Sequence, residues 1–344
     1  MPPASAEIED LLRQVSRSFY LTLRFLPRSI RPQLSCAYLL ARATDTIADT
    51  RLVDLRRRQE TLLRLRECIQ EASSGQRPQL PDFGELANAQ GTAAGRGTVV
   101  ERSLLENARW ALNALSEFSI ADRDEIRKVL DTITRGQELD LSRFGDASGD
   151  RISALNTDKD LDAYIYSVAG CVGEFWTKMC RAHVFPKVPL DNGLLMENGV
   201  RFGKGLQLVN ILRDLPADLR EGRCYIPEDR LSERGLRPQD LLDAAAFGRF
   251  RPLYGDYLKQ AADHLSGGWK YTVMLPFRFA RVRLACAWPI LIGMKTLARL
   301  RTVNVLDNRL RVKLSRPEVR RLVLRSLILY PCPAAWNRLF ETVR

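Results

Sequence analysis

Histidine is nearly missing from this chain: His183 and His264 are the two instances in 344 residues. A Ser-His-Asp or Cys-His system would have to recruit one of them, and neither stands in a recognisable nucleophile motif. Long apolar runs are missing too. The longest candidate, Leu284 to Met294, covers about 11 residues and contains Pro289, short of the roughly 18–20 a bilayer span needs. Seven scattered cysteines (Cys36, Cys68, Cys171, Cys180, Cys224, Cys286 and Cys332) form no C-x-x-C pair. With so little histidine beside them they argue against a zinc site, and read as small buried apolar residues in a reducing compartment. The N-terminus, Met-Pro-Pro-Ala-Ser and then acidic, has neither a basic n-region nor an apolar h-region, so a cytoplasmic protein is expected. No G-x-G-x-x-G follows a strand-like segment, and Gly91, Gly95 and Gly97 stand in the wrong context for a dinucleotide loop.

What is present is helical. An apolar content of 45% is ample for a core and excludes wholesale disorder. Length alone allows one large helical domain or two ordinary ones. Periodicity predicts helices near 5–26, 32–50, 52–73, 99–119, 122–143, 158–183, 192–214, 238–265 and 278–300, with two or three more after 306. The stretch from Ser73 to Gly97, rich in Gly, Ser, Pro, Ala and Gln, reads as a mobile surface loop. No second composition class, internal repeat or useful heptad run interrupts the pattern. The expectation is one all-α domain over 1–344.

Charge is unevenly placed. The chain carries +12, yet Lys270 to Arg344 alone holds 16 Lys and Arg against Asp307, Glu318 and Glu341, which is +13, leaving −1 elsewhere. This basic part, about 270–344, interleaves Arg with Leu, Val, Trp and Phe, as in Arg320-Arg321-Leu-Val-Leu-Arg325. It resembles amphipathic helices lying against a core or a bilayer surface more than a solvated tail. A nucleic-acid partner is not expected, because no docking motif is recognisable and acidic stripes would face a polyanion.

Those stripes carry the chemistry. Tyr38, Arg42, Asp45 and Asp49 step by four, three and four residues, which on a helix puts them on one face. Two carboxylates one turn apart repel, so the pair is either a solvated acidic edge or a seat for a cation. A second stripe, Gln207, Asn210, Asp214 and Asp218, lies among Leu206, Val209, Ile211 and Leu212. Polar groups on so apolar a helix are costly to bury without partners. Hard oxygen donors supplied in pairs beside Arg suit magnesium bridging a diphosphate. Pro216 separates the second aspartates and should kink or end the helix there, which leaves Asp218 less securely placed than Asp214. Arg220, Arg223 and Tyr225-Ile-Pro227 follow as a basic, turn-rich flap.

Taken in order, these segments resemble the squalene/phytoene synthase family. Ser16-Arg17-Ser18-Phe19 is similar to its N-terminal signature, and Arg42 with Asp45-Thr-Ile-Ala-Asp49 to its first aspartate motif. Tyr164-Ile-Tyr-Ser-Val168-Ala169-Gly170-Cys-Val-Gly173 is similar to its central tyrosine motif. Gln207 to Asp218, with Gly222-Arg223-Cys-Tyr225-Ile-Pro227, is similar to its second aspartate motif and flap. The match covers about 15–230; Thr50, where many members carry another acid, and Pro216 depart from it. Gly173-Glu174-Phe-Trp176-Thr and Thr134-Arg-Gly-Gln137-Glu138 look most like bacterial squalene synthases.

The resemblance implies an all-α, single-domain helical bundle of the isoprenoid-synthase type around a central apolar cavity. It implies head-to-head condensation of two farnesyl diphosphates, through presqualene diphosphate, to squalene. Magnesium would be held by Asp45, Asp49, Asp214 and Asp218. Tyr164, Tyr38, Asp45 and Asp214 would be the catalytic residues. Ser16, Arg17, Phe19, Arg42, Val168, Ala169, Gly170, Gln207, Asn210, Arg213, Arg223 and Tyr225 would bind substrate. NADPH would supply a hydride at a site the sequence does not locate. The alternatives are a phytoene synthase acting on geranylgeranyl diphosphate, a dehydrosqualene synthase without the hydride step, or a non-catalytic scaffold member. A long hydrocarbon product makes peripheral contact with an anionic membrane an expectation, through the basic C-terminal part.

Overall fold

The helical periodicity is realised almost throughout: the computed structural model is 73% helical and describes residues 4–15, 19–50, 53–92, 96–307 and 309–343. The chain divides into two compact units. One comprises residues 1–145 with 178–187, the other residues 146–177 with 188–344.

The first unit contains α1 (Ala4–Val15), α2 (Phe19–Phe25), α3 (Arg31–Asp49), α4 (Leu55–Ser73), α5 (Gly84–Thr92), α6 (Arg96–Glu106), α7 (Ala108–Ser116) and α8 (Ile120–Phe144). Pro32 opens α3 within its first turn, where a missing N–H costs nothing. Asp54 caps α4 by accepting from the amides of Arg56 and Arg57, and Ser119 caps α8 by accepting from the Asp122 amide. In α8, Ile126, Val129, Leu130, Ile133 and Gln137 are buried at three- and four-residue steps, the stripe of a helix packed on one side. Arg66 of α4 crosses to Asp131 and Glu138 of α8 at 2.7 and 3.1 Å. Buried Asp122 accepts from Gln33 Nε2 at 3.2 Å and contacts His183 Nε2 at 2.6 Å, which accounts for one of the two histidines structurally.

Two expectations need correction here. Part of the expected surface loop over 73–97 is α5, which buries Leu86 and Ala87, with Phe83 buried just before it. The helix expected over 99–119 breaks at Asn107 into α6 and α7.

The second unit contains α9 (Asp158–Ile165), a π-helical turn (Tyr166–Gly170), α11 (Asn192–Arg220), α12 (Glu228–Ser232), α13 (Phe247–Met274), α14 (Ala280–Leu300), α15 (Arg316–Leu329) and α16 (Pro333–Asn337). It also holds the first residues of α10 (Cys171–His183). Where a helix was expected to begin at 238, two short 3-10 turns, Pro238–Leu242 and Ala244–Ala246, precede α13. Among the described residues, extended pairing is limited to β1 (Ser153–Ala154) running parallel to β2 (Arg223–Cys224) and an isolated antiparallel bridge between Ser148 and Arg151.

Glycines let α11 approach α10 and the π-turn backbone to backbone. A Cβ on Gly173 would lie 1.9 Å from the Gly199 carbonyl oxygen, and one on Gly203 would lie 2.0 Å from that of Ala169. Gly173→Ala should therefore cost about 1–3 kcal/mol or more, because no flexible side chain can give way. A urea melt with an unchanged midpoint would refute the close approach.

Of the two outcomes expected at Pro216, a kink or an end, the end does not occur: α11 runs on to Arg220. A proline at 216 cannot donate to the carbonyl of Leu212. The buried hydroxyl of Tyr254, on α13, donates to that carbonyl at 3.0 Å instead. Tyr254→Phe would strand a buried acceptor and should lower stability by about 1–3 kcal/mol. Pro216→Ala in that background restores a backbone donor and should recover part of the loss. Equal melting midpoints for wild type and Tyr254→Phe would rule the substitution of donors out.

Candidate functional site

In the first unit the candidate residues lie along α3, whose opposite face buries Leu34, Cys36, Leu39, Leu40, Ala43 and Ile47. Tyr38, Arg42 and Asp45 are half-buried and Asp49 is exposed. The Arg42 guanidinium donates to Asp45 and, at 2.9 Å, to Glu101 of α6. Burial works against its charge, but Asp45 and Glu101 outweigh that and hold its pKa above the usual value. Burial first, and then the Asp49 carboxylate, push the Asp45 carboxyl up to about 7, with Arg42 pulling the other way. The Asp45 side chain still shows 41% of its surface, so a cation has an open approach to it. Glu101 was not foreseen: it stands 59 residues from Arg42, and no spacing rule links them.

In the second unit α11 continues through Pro216, and helical spacing places Gln207, Asn210, Asp214 and Asp218 on one face. Gln207, Asp214 and Asp218 are half-buried and Asn210 is exposed. Arg213 grips Asp214 with two donors, Nε at 2.8 Å and Nη2 at 2.5 Å. That bidentate pair raises the Arg213 pKa above its ordinary value. Arg223 Nη2 lies 2.6 Å from Glu221 and 3.7 Å from Asp218.

Arg223 is positioned by strand pairing. Gly222 has φ +82°, and a Cβ there would fall 2.4 Å from the Ser148 amide nitrogen; Ser153 then donates to the Gly222 carbonyl at 2.9 Å. In the stretch expected as a flap, Cys224, Tyr225 and Ile226 are buried. The half-buried Tyr164 stacks on Tyr225, ring centres 4.7 Å apart and planes at 22°. Val168, Ala169 and Gly170 belong to the π-helical turn, and Gly170 is buried against Tyr166, Lys204 and Val200. Such turns insert one extra residue and occur often at functional sites. Ser16 and Arg17 lie outside the described residues; Phe19 opens α2, its side chain outside the description.

The arrangement has a consistent logic: each stripe places two carboxylates one helical turn apart and pairs the first with an arginine. Among the described residues no three His, Cys, Asp or Glu side chains converge as a metal cage. Magnesium rarely needs one, since it is commonly held by one or two carboxylates and completed by water and substrate phosphate oxygens. The donor set therefore fits that ion arriving with a diphosphate.

A model of the family described as squalene/phytoene synthase matches residues 12–318. A bifunctional lycopene cyclase/phytoene synthase from Gibberella fujikuroi is 30% identical over 234 residues, 67% of this chain and 37% of that protein. The chain spans about a third of the length of such relatives. Among solved structures, TcSQS bound to the ligand E5700 superposes with a TM-score of 0.73 at 20% identity, over 99% of both chains. A dehydrosqualene synthase in complex with ligand superposes with a TM-score of 0.62 at 20% identity, over 95% of each. At such identities the superpositions speak to the fold.

Proposed function

Because the chain belongs to the squalene/phytoene synthase family, we propose that it is a prenyltransferase joining two farnesyl diphosphates head to head, through presqualene diphosphate, to squalene. The observation that carries this reading is the pair of aspartate stripes, each with its arginine, inside a family match covering residues 12–318. Magnesium held by Asp45, Asp49, Asp214 and Asp218 would stabilise the departing diphosphate by neutralising its charge.

The chain's own residues then have distinct tasks. Arg42 and Arg213, which pair with Asp45 and Asp214 in the protein alone, would turn to diphosphate oxygens as the carboxylates take up cations. Arg223, with Arg17, would neutralise the remaining phosphate charge, and Ser16 would bind substrate beside them. Loss of diphosphate from one substrate leaves an allylic cation, and the double bond of the second attacks it. Proton loss closes the cyclopropane. With no histidine in the motifs, released diphosphate or the tyrosines Tyr164 and Tyr38 would accept that proton. The Tyr164 ring, braced by Tyr225, can also hold cationic charge against its face. Val168, Ala169, Gly170 and Phe19 would line the path of the prenyl chain, and Gln207 and Asn210 would orient the diphosphate.

The second half-reaction would take a hydride from NADPH. Among the described residues no strand leads into a glycine-rich phosphate loop, so no residue is assigned to that cofactor and no step is built on it. The phytoene-synthase names of the curated relatives favour the second reading, condensation without reduction. Incubation with radiolabelled farnesyl diphosphate and magnesium, with and without NADPH, separates the two. Squalene formed only with NADPH supports the first; dehydrosqualene or presqualene diphosphate in both arms supports the second. No product from farnesyl or geranylgeranyl diphosphate would leave the scaffold reading.

A further inference from the structure

Helix α15 is held firmly on one side and left apolar on the other. Its N-terminus is capped by a reciprocal Ser315–Glu318 pair, and Glu318 also accepts from Arg299 of α14. Within α15, every residue of which is described, only Ser326 is buried; its hydroxyl accepts from Trp288 Nε1 at 2.9 Å. Just beyond the helix, the Tyr330 hydroxyl donates to the Phe277 carbonyl at 2.6 Å. On the side away from Ser326, Leu324, Leu327 and Ile328 are 57%, 40% and 66% exposed. At steps of three and four residues they share one face with Arg320 and Arg321, and Arg325 flanks it. These three arginines are exposed and have no carboxylate partner among the described residues. The tryptophans expected to take part do not: Trp288 and Trp336 are buried.

An anchored helix gains nothing from three leucine-type side chains facing water, so that face implies a partner. The surrounding charge says which kind. From Arg311 to Arg338 the sequence places Arg311, Lys313, Arg316, Arg320, Arg321, Arg325 and Arg338 against Glu318 alone, and Glu318 is already paired. Apolar side chains ringed by unpaired arginines match the boundary between phosphate headgroups and acyl chains. No helix among the described residues is long and apolar enough to cross a membrane.

We propose that the outward face of α15 docks on an anionic lipid bilayer, with Leu324, Leu327 and Ile328 entering the acyl boundary and Arg320, Arg321 and Arg325 on lipid phosphates. The inference rests on the surface alone and stands whichever prenyl product the enzyme makes.

Flotation with phosphatidylcholine vesicles, with and without phosphatidylglycerol and without substrate, tests it. The protein should float with the anionic vesicles at low salt and stay behind with neutral ones. Arg320→Ala with Arg321→Ala should weaken partitioning about tenfold or more, and Leu324→Ser, Leu327→Ser and Ile328→Ser together by at least as much. Thermal melts check that both variants fold. A label on Cys332, exposed just past the helix while the other six cysteines are buried, reads the contact in the unsubstituted chain. An environment-sensitive dye there should shift blue on anionic vesicles. Equal binding to neutral vesicles, undiminished binding by the variants, or an unmoved dye overturns the proposal. So does a triple serine variant that turns a dimer into a monomer while keeping lipid affinity, since the face would then belong to a second copy.

Discussion

Asp214→Asn is expected to reduce turnover of farnesyl diphosphate by about a hundred- to a thousandfold, and Asp45→Asn by a similar factor. An amide keeps the size and one oxygen of the side chain but loses the charge that a magnesium ion needs. The loss should be partly reversed by excess magnesium, and wild-type enzyme treated with a chelator should match the variants. Full turnover by either variant at ordinary magnesium concentrations would remove the aspartate stripes from the mechanism.

The two substitutions should differ in what they do to the metal-free protein. Asp214 has an arginine on both oxygens, so its loss leaves Arg213 without that partner. Asp45 is held up to about 7 by burial and by Asp49. Its folded form therefore binds a proton more readily than the unfolded chain does, and stability falls as pH rises from about 4 through about 7. Asp45→Asn should be more stable than wild type at about pH 8 and equal to it near pH 4. Because the side chain is 41% exposed, the gain is discounted to the order of 1 kcal/mol. Paired melts at the two pH values, without metal, decide the sign.

Trp336→Ala should produce the largest loss of stability, about 3–5 kcal/mol. Trp336 is fully buried. It stacks on Trp269 at 5.0 Å, meets Tyr330 edge-on at 5.3 Å, and lies 4.6 Å beneath the Arg283 guanidinium. Arg283 is itself buried, donating to the carbonyls of Val273 and Leu275, and burial lowers its pKa. Removing the indole takes away both a large apolar surface and a ring face over which that charge is held. Trp336→Phe keeps a ring and should cost markedly less. Urea midpoints for the pair measure the difference; similar values for Ala and Phe would show that ring stacking contributes little.

Much of this was readable in the sequence where one period ran uninterrupted. The expected 32–50 and 122–143 helices appear as Arg31–Asp49 and Ile120–Phe144, because apolar steps of three and four residues mark a one-sided helix without outside help. Tyr38, Arg42, Asp45 and Asp49 follow from the same period. What escaped was whatever depends on distant partners. Pro216 argues for a break when only neighbours are counted, and the hydroxyl that serves the Leu212 carbonyl in its place comes from Tyr254, 42 residues on from Leu212. Glu101 answers Arg42 across 59 residues. Helix α5 was hidden by its small, polar composition, since Leu86 and Ala87 supply too short an apolar signal to outvote Gly, Pro and Gln. The basic C-terminal part was read as lying against a core or a bilayer surface, and the sequence alone does not say which side its tryptophans take; Trp336 is buried against Trp269 and Arg283.

The π-helical turn at Tyr166–Gly170 takes up one residue more than an α-helical turn does, so the helices on either side of it keep their faces. Tyr164 can therefore stack on Tyr225 while Gly173 meets Gly199. Removing one residue inside the turn should let the run close as ordinary α-helix with both contacts kept, whereas removing one from α9 or α10 would turn one contact by about 100° against the other. The wide turn is thus the one place in this stretch where related chains can differ by a residue without losing either contact.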